Sequence, residues 1–309
     1  MRHRLFWAVG ITVASCASLL LPSAARAEEK QDKNLPVCVE CHEDVVKGMA
    51  LTKHGAKLDS TGAVCQSCHG DVAAHLADPA AAKPTRVFNN KSMLASEKSA
   101  VCLTCHDGQR QLAFWDAGKH KKNDVSCVDC HAVHAKRGEP TTAPYLTTQR
   151  KLQYEVCGNC HKNVRTQLNK NSHHPILEGK VACSDCHNPH GALSHAMVKN
   201  ESITQLCTSC HADKRGPFVF AHLPVEENCL TCHNSHGSNV PKLLTVKAPQ
   251  LCQDCHGSAH GQIAYGSSFG IGGANQDRAT RFDARACVNC HQMIHGSNAP
   301  ASRGQFFLR

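Results

Sequence analysis

Cysteine and histidine carry the chemistry of this sequence. The chain holds 21 cysteines and 23 histidines in 309 residues. All the cysteines but Cys16 fall in one pattern, C-x-x-C-H. The first five triplets are Cys38, Cys41 and His42; Cys65, Cys68 and His69; Cys102, Cys105 and His106; Cys127, Cys130 and His131; Cys157, Cys160 and His161. The next five are Cys183, Cys186 and His187; Cys207, Cys210 and His211; Cys229, Cys232 and His233; Cys252, Cys255 and His256; Cys287, Cys290 and His291. C-x-x-C-H is the attachment sequence of c-type haem. Two thiols on one helical turn reach the two vinyl positions on one porphyrin edge, and the next residue brings an imidazole to the iron. Two other chemistries use C-x-x-C: paired motifs can make Cys₄ zinc sites, and a single motif can be a redox dithiol. Neither needs a histidine after every second cysteine.

The remaining histidines set the state of the iron. Outside the motifs stand His54, His75, His120, His134, His173, His174, His190, His195, His222, His236, His260 and His295, besides His3 near the start. Ten irons need ten sixth ligands, so the supply covers bis-histidine ligation at each haem with two histidines over. Methionine is the poorer candidate, since only Met49, Met93, Met197 and Met293 lie beyond the first segment. A saturated iron offers no open position to a substrate, and histidine keeps its potential lower than methionine would. The chemistry is therefore electron conduction rather than catalysis. The catalytic alternative, a multihaem reductase of a nitrogen or sulfur oxyanion, needs an open iron, and no motif exchanges its final histidine for lysine.

The placement repeats. Five units each contain a motif, a histidine, a second motif and another histidine close behind. Unit one runs His42, His54, His69, His75; unit two His106, His120, His131, His134. Unit three runs His161, His173 or His174, His187, His190; unit four His211, His222, His233, His236; unit five His256, His260, His291, His295. His195 is the leading spare. Aligning His222-Leu223-Pro224 with His173-His174-Pro175 favours His173 as ligand, whereas adjacency to proline favours His174. In unit five the intermediate histidine follows after only four residues, so its ligation stays open. His187 and His190, three residues apart, project from one side of a turn. Such a pair is poorly placed to straddle one porphyrin, so His134, His190 and His236 are expected to serve a neighbouring haem.

The elements that position these residues must be small. Aromatic residues are 5% of the chain, too few with the scattered aliphatics for the core usual at this length. The expected fold is a multihaem cytochrome c. It is mostly irregular, with helices of one to three turns around each motif and little or no β-structure, an elongated haem wire organised by ten covalent haems. Connectors at 77–85, 138–144 and 261–274 are rich in Pro, Gly or Ala. With about 28 residues per haem, neighbouring porphyrin edges must lie close.

Residues 1–27 read as a signal peptide: Arg2 and Arg4, an apolar run over 5–21, then Ala25-Arg26-Ala27. A lipoprotein signal at Val13-Ala14-Ser15-Cys16 and a retained anchor are the alternatives. No later segment has the roughly 18 apolar residues needed to span a bilayer. The formal charge is +9, and the segment beyond residue 27 has 31 basic and 25 acidic residues. Each ferric haem adds about −1 with its propionates ionised, so the basic residues read as propionate partners and nucleic acid is excluded as a partner.

The chain resembles the DmsE/MtrA-type decahaem cytochromes, which include MtoA- and PioA-like proteins. The resemblance rests on ten motifs in this length, on Cys186-His187-Asn188-Pro189-His190-Gly191, and on the ending Cys287-Val-Asn-Cys290-His291-Gln-Met-Ile-His295-Gly-Ser-Asn. It implies a periplasmic, outer-membrane-associated electron conduit seated in a β-barrel porin. Its partners would be periplasmic and extracellular redox proteins, for metal reduction, Fe(II) oxidation or an extracellular terminal reductase. A soluble periplasmic shuttle is the remaining reading. The family's two pentahaem halves would correspond here to 28–178 and 179–309.

Overall fold

The computed structural model describes residues 37–89, 91–134, 152–256 and 287–308. The connectors 138–144 and 261–274, the segment 1–27 and His260 lie outside the described residues. The described helices are short: Val39–Ala50 and Ala95–His106 reach 12 residues, and several span one turn, such as Cys127–Cys130 and Cys183–Cys186. Among the described residues there are four isolated β-bridges and no strand.

Each motif is a helical turn with a fixed exit. The amide of the motif histidine donates to the carbonyl of the first cysteine, as in His131 to Cys127 at 2.8 Å and His211 to Cys207 at 2.9 Å. That closes one α-turn and puts both thiols on one face. The chain then commonly leaves the helix at the histidine. His131 and His187 are extended, and His42 breaks the helix that carries it. A carboxylate inside the motif often caps the turn. Asp129 accepts from the Ser126 amide at 2.6 Å, and Asp185 from the Ala182 amide at 2.8 Å.

The two motifs of a unit pack on each other. Ala95–His106 contacts Cys127–Cys130, Gln153–Gly158 contacts Cys183–Cys186, and Ile203–Thr208 contacts Cys229–Thr231. In the third unit Gln153 clamps the partner turn with both ends of its amide, giving to Ser184 Oγ at 2.8 Å and accepting the Ser184 amide at 2.9 Å. Among the described residues the buried apolar ones are few: Val46, Met49, Trp115, Leu168, Ala182 and Val198. Leu193, Val219 and Leu94 stand more than two-thirds exposed. Side chains alone do not make this interior. Among the described residues no helix is long and apolar enough to cross a membrane.

Candidate functional site

The thiols trace the order of the motifs in space. Cys102 hydrogen-bonds Cys127, which pulls Cys127 down to about 6 and pushes Cys102 well up. Cys157 and Cys183 form the same couple, with Cys183 lowered to about 7. Burial first, and then the nearby first cysteine of the partner motif, raises Cys65 to about 11, Cys207 to about 12 and Cys252 to about 11. Neighbouring units come near one another at other cysteines: Cys102 feels the charge of Cys68, Cys130 that of Cys160, Cys186 that of Cys210, and Cys232 that of Cys255. Consecutive motifs are therefore consecutive neighbours.

The two cysteines of a motif differ in setting. The first is half-buried in all ten motifs, where it meets the partner motif. The second is the more open one. Cys41, Cys105, Cys130, Cys160, Cys210, Cys255 and Cys290 are exposed, and Cys68, Cys186 and Cys232 are half-buried. Cys68 and Cys105 each have a preceding hydroxyl 3.8 Å from the sulfur, from Ser67 and Thr104. All twenty described cysteines are free thiols, so no C-x-x-C forms a disulfide. Both positions are thus open to thioether attachment.

Nine motif histidines face a second histidine ring. The pairs are His42–His75, His69–His134, His106–His54, His131–His190 and His161–His120. The others are His187–His236, His211–His174, His233–His295 and His256–His222. Ring centres are 5.9–6.3 Å apart throughout. Two imidazoles bonded to one iron at about 2 Å, each nitrogen about 1.1 Å from its ring centre, would stand about 6.2 Å apart. The residues fit haem iron, which takes four further nitrogens from the porphyrin. They do not fit Cys₄ zinc: among the described residues no three of His, Cys, Asp or Glu converge on one point.

The pairing follows one rule. A histidine behind an odd-numbered motif reaches two motifs forward: His54 to the third, His120 to the fifth, His174 to the seventh, His222 to the ninth. A histidine behind an even-numbered motif reaches two motifs back: His134 to the second, His190 to the fourth, His236 to the sixth, His295 to the eighth. At the start, where no earlier motif exists, His75 closes on the first. His134, His190 and His236 each face a motif other than the one just before them.

Of the two adjacent histidines, His174 faces His211. His173 does not join the pairs. Its Nδ1 meets the Lys170 carbonyl at 2.6 Å, and its Nε2 lies 3.2 Å from Glu178. The bridge between Ser172 and Ser238 fixes the register. His195 stands exposed on a turn outside the pairs.

Ligation needs the neutral imidazole. Burial lowers the pKa of His54, His69, His131, His190, His222, His236 and His295, in each case as the largest cause. His173 moves the other way, raised first by the Lys170 carbonyl and then by Glu178. Several ring orientations are fixed by backbone carbonyls that accept from Nδ1. They are Arg86 for His69, Ala82 for His75, Ala196 for His187, Lys242 for His233 and Phe306 for His291. Such partners fix the tautomer and raise ligand basicity.

A repeated dock brings the crossing histidines in. The carbonyl of Pro189 accepts from His120 Nδ1 at 2.7 Å, and that of Ser235 accepts from His174 Nδ1 at 2.6 Å. Each carbonyl directly precedes the second histidine of an H-x-x-H-G run, and the glycine lets another segment of the backbone lie close. A Cβ on Gly191 would meet the Phe114 carbonyl at 2.2 Å, and one on Gly237 the Gln167 carbonyl at 1.9 Å. At His222 the carbonyl of Ile294 opposes the effect of burial, while Nδ1 is buried with no hydrogen-bond partner among the described residues. Sequence reasoning missed these carbonyls and glycines. The recurrence of H-x-x-H-G, and of H-x-x-x-H-G at the end, was the signal that could have found them.

Families of known proteins match along the chain. The doubled C-x-x-C-H motif matches residues 173–216 and 222–261, an NrfB-like cytochrome c-type protein family matches 65–145, and the cytochrome c554 and c-prime family matches 14–70. Multiheme cytochrome MtrA of Shewanella baltica is 39% identical over 279 residues, 88% of this chain and 80% of that protein. Cytochrome c-type protein NrfB of Escherichia coli is 30% identical over 175 residues, 54% of this chain and 86% of that protein.

Proposed function

Because the chain belongs to the MtrA-type multihaem cytochromes c, a family of electron-transfer proteins rather than catalysts, we propose that it holds ten haems, each between two histidines, and conducts electrons along them. The haem supplies a one-electron Fe(III)/Fe(II) couple. At each site two cysteines would hold it covalently and two histidines would bind its iron, and the crossing histidines would tie each site to one two motifs away. The nine facing histidine pairs carry this reading. The forward rule leaves His260 with no eleventh motif, just as His75 has no earlier one, so His260 is assigned to the tenth motif opposite His291. The thiol contacts in chain order support a single file of sites.

The resemblance extends the proposal to place and partners. Residues 1–27 export the chain to the periplasm, and it sits at the outer membrane inside a β-barrel porin, exchanging electrons between periplasmic and extracellular redox proteins. The match to NrfB over about half the chain favours a second reading, a periplasmic carrier with no barrel. Copurification of a large β-barrel protein from outer membranes separates the two. A haem count of ten, with an oxidised paramagnetic resonance spectrum that is wholly low-spin and unchanged by cyanide or nitrite, is the expected result. A high-spin site in the unaltered protein would sink the bis-histidine assignment, and His260→Ala should create one such site.

A further inference from the structure

The third site differs from its neighbours in what holds its ligand. At His69, His187, His233 and His291 the partner of Nδ1 is a backbone carbonyl. At His106 it is a side chain: the Gln109 amide nitrogen lies 2.7 Å from Nδ1. The two ends of an amide are interchangeable by rotation. A ring bound to metal through Nε2 carries its proton on Nδ1, so Gln109 must then turn its oxygen to that proton. Gln109 is well placed to do so. Its own amide donates to the His106 carbonyl at 3.1 Å, and its carbonyl accepts from Leu112 at 2.8 Å. Its side chain is exposed, so it can change without disturbing the packing.

The ring geometry singles out the same site. The rings of His106 and His54 cross at 71°, the widest angle of the nine pairs, whereas His131–His190 and His233–His295 are nearly parallel at 17° and 16°. Ligand-plane orientation governs the anisotropy of a low-spin ferric haem, and hydrogen bonding at Nδ1 governs the donor strength of the ring.

We propose that Gln109 is a positioning residue that sets the axial-ring orientation and the reduction potential of the third haem. This rests on the assignment of His106 and His54 as that haem's ligands. A stronger acceptor gives the ring more imidazolate character and stabilises the ferric state; loss of the acceptor does the reverse.

The test is a potentiometric titration of the holoprotein, followed by the paramagnetic resonance signal of crossed axial ligands. His120–His161, crossing at 60°, contributes to that signal too and serves as an internal reference. In Gln109→Glu, one haem of the ten should shift to lower potential. In Gln109→Leu, one haem should shift to higher potential, and its signal should move toward the rhombic form of parallel rings as the ring is released. Shifts of the same sign in both variants, shifts spread over many haems, or none at all, would overturn the proposal. His54→Ala tests the assignment beneath it. One new high-spin site supports the pairing. The absence of one would remove the pairing and the role of Gln109 together, whereas a high-spin site with unmoved Gln109 variants removes that role alone.

Discussion

At the scale of single residues, the pair His173–His174 shows what a pattern can specify. The two cysteines and the histidine of each motif are dictated by covalent attachment, and all ten could be read directly from their spacing. The facing histidine has no such local constraint: in eight of the nine pairs it arrives from a segment two motifs away. Alignment favoured His173 and the following proline favoured His174; the Ser172–Ser238 bridge, invisible in the sequence, brings His174 to His211. His174→Ala should convert one haem to high-spin while His173→Ala leaves the low-spin count unchanged, both read by electron paramagnetic resonance. Equal spectra for the two variants would reverse the assignment. His173 also has a pH signature. Its pKa is raised in the folded chain above the ordinary 6.5, so any stability it contributes is present below about pH 6.5 and lost as pH rises through the raised value. Unfolding midpoints of His173→Ala and the parent should therefore differ in mild acid and converge in alkali.

At the scale of elements, the fold is a set of docks. One-turn helices were legible because C-x-x-C needs one turn and the connectors are rich in helix breakers. The turns that serve the ligands were not. Ala196 and Lys242, which present their carbonyls to His187 and His233, adopt left-handed backbone at φ 60° and 61°. Neither residue type signals that conformation. The glycine of H-x-x-H-G has a clearer cause. Gly237 does not have a left-handed φ; it is small because the Gln167 carbonyl lies where a Cβ would go, 1.9 Å away. The obstacle is backbone and cannot swing aside. Gly237→Ala should cost about 1–3 kcal/mol as an overpacked contact and should weaken the dock of His174 on the Ser235 carbonyl. Gly108, where an added Cβ would meet nothing within 4 Å, is the control. Gly108→Ala should stay within about 0.5 kcal/mol of the parent, as expected of an unconstrained surface site. Chemical denaturation of the two holoproteins compares them directly, and equal stabilities would show that the close approach relaxes freely.

At the scale of the whole molecule, the two-forward, two-back rule makes a ladder whose links overlap. Two pentahaem halves, 28–178 and 179–309, are what the resemblance proposes. Two links cross that boundary: His190 faces His131, and His174 faces His211. Cutting there would strip one axial ligand from the fourth motif on one side and from the seventh on the other, while the pairs His42–His75, His69–His134, His106–His54 and His161–His120 stay within the first piece. The net charge of the assembly depends on the haems as well as on the chain. The segment beyond residue 27 carries 31 basic and 25 acidic residues, and ten ferric haems at about −1 each would bring the assembly to roughly −4. The piece 28–178, expressed with haem attachment, should therefore show four low-spin haems and one high-spin haem that binds cyanide, and the motif of Cys127, Cys130 and His131 should be its location. His190→Ala in the full chain should produce the same single open site, because it removes the same link without the cut. Five low-spin haems in the isolated piece would mean that the halves close their own ligand sets, and the ladder would then have a seam at its centre.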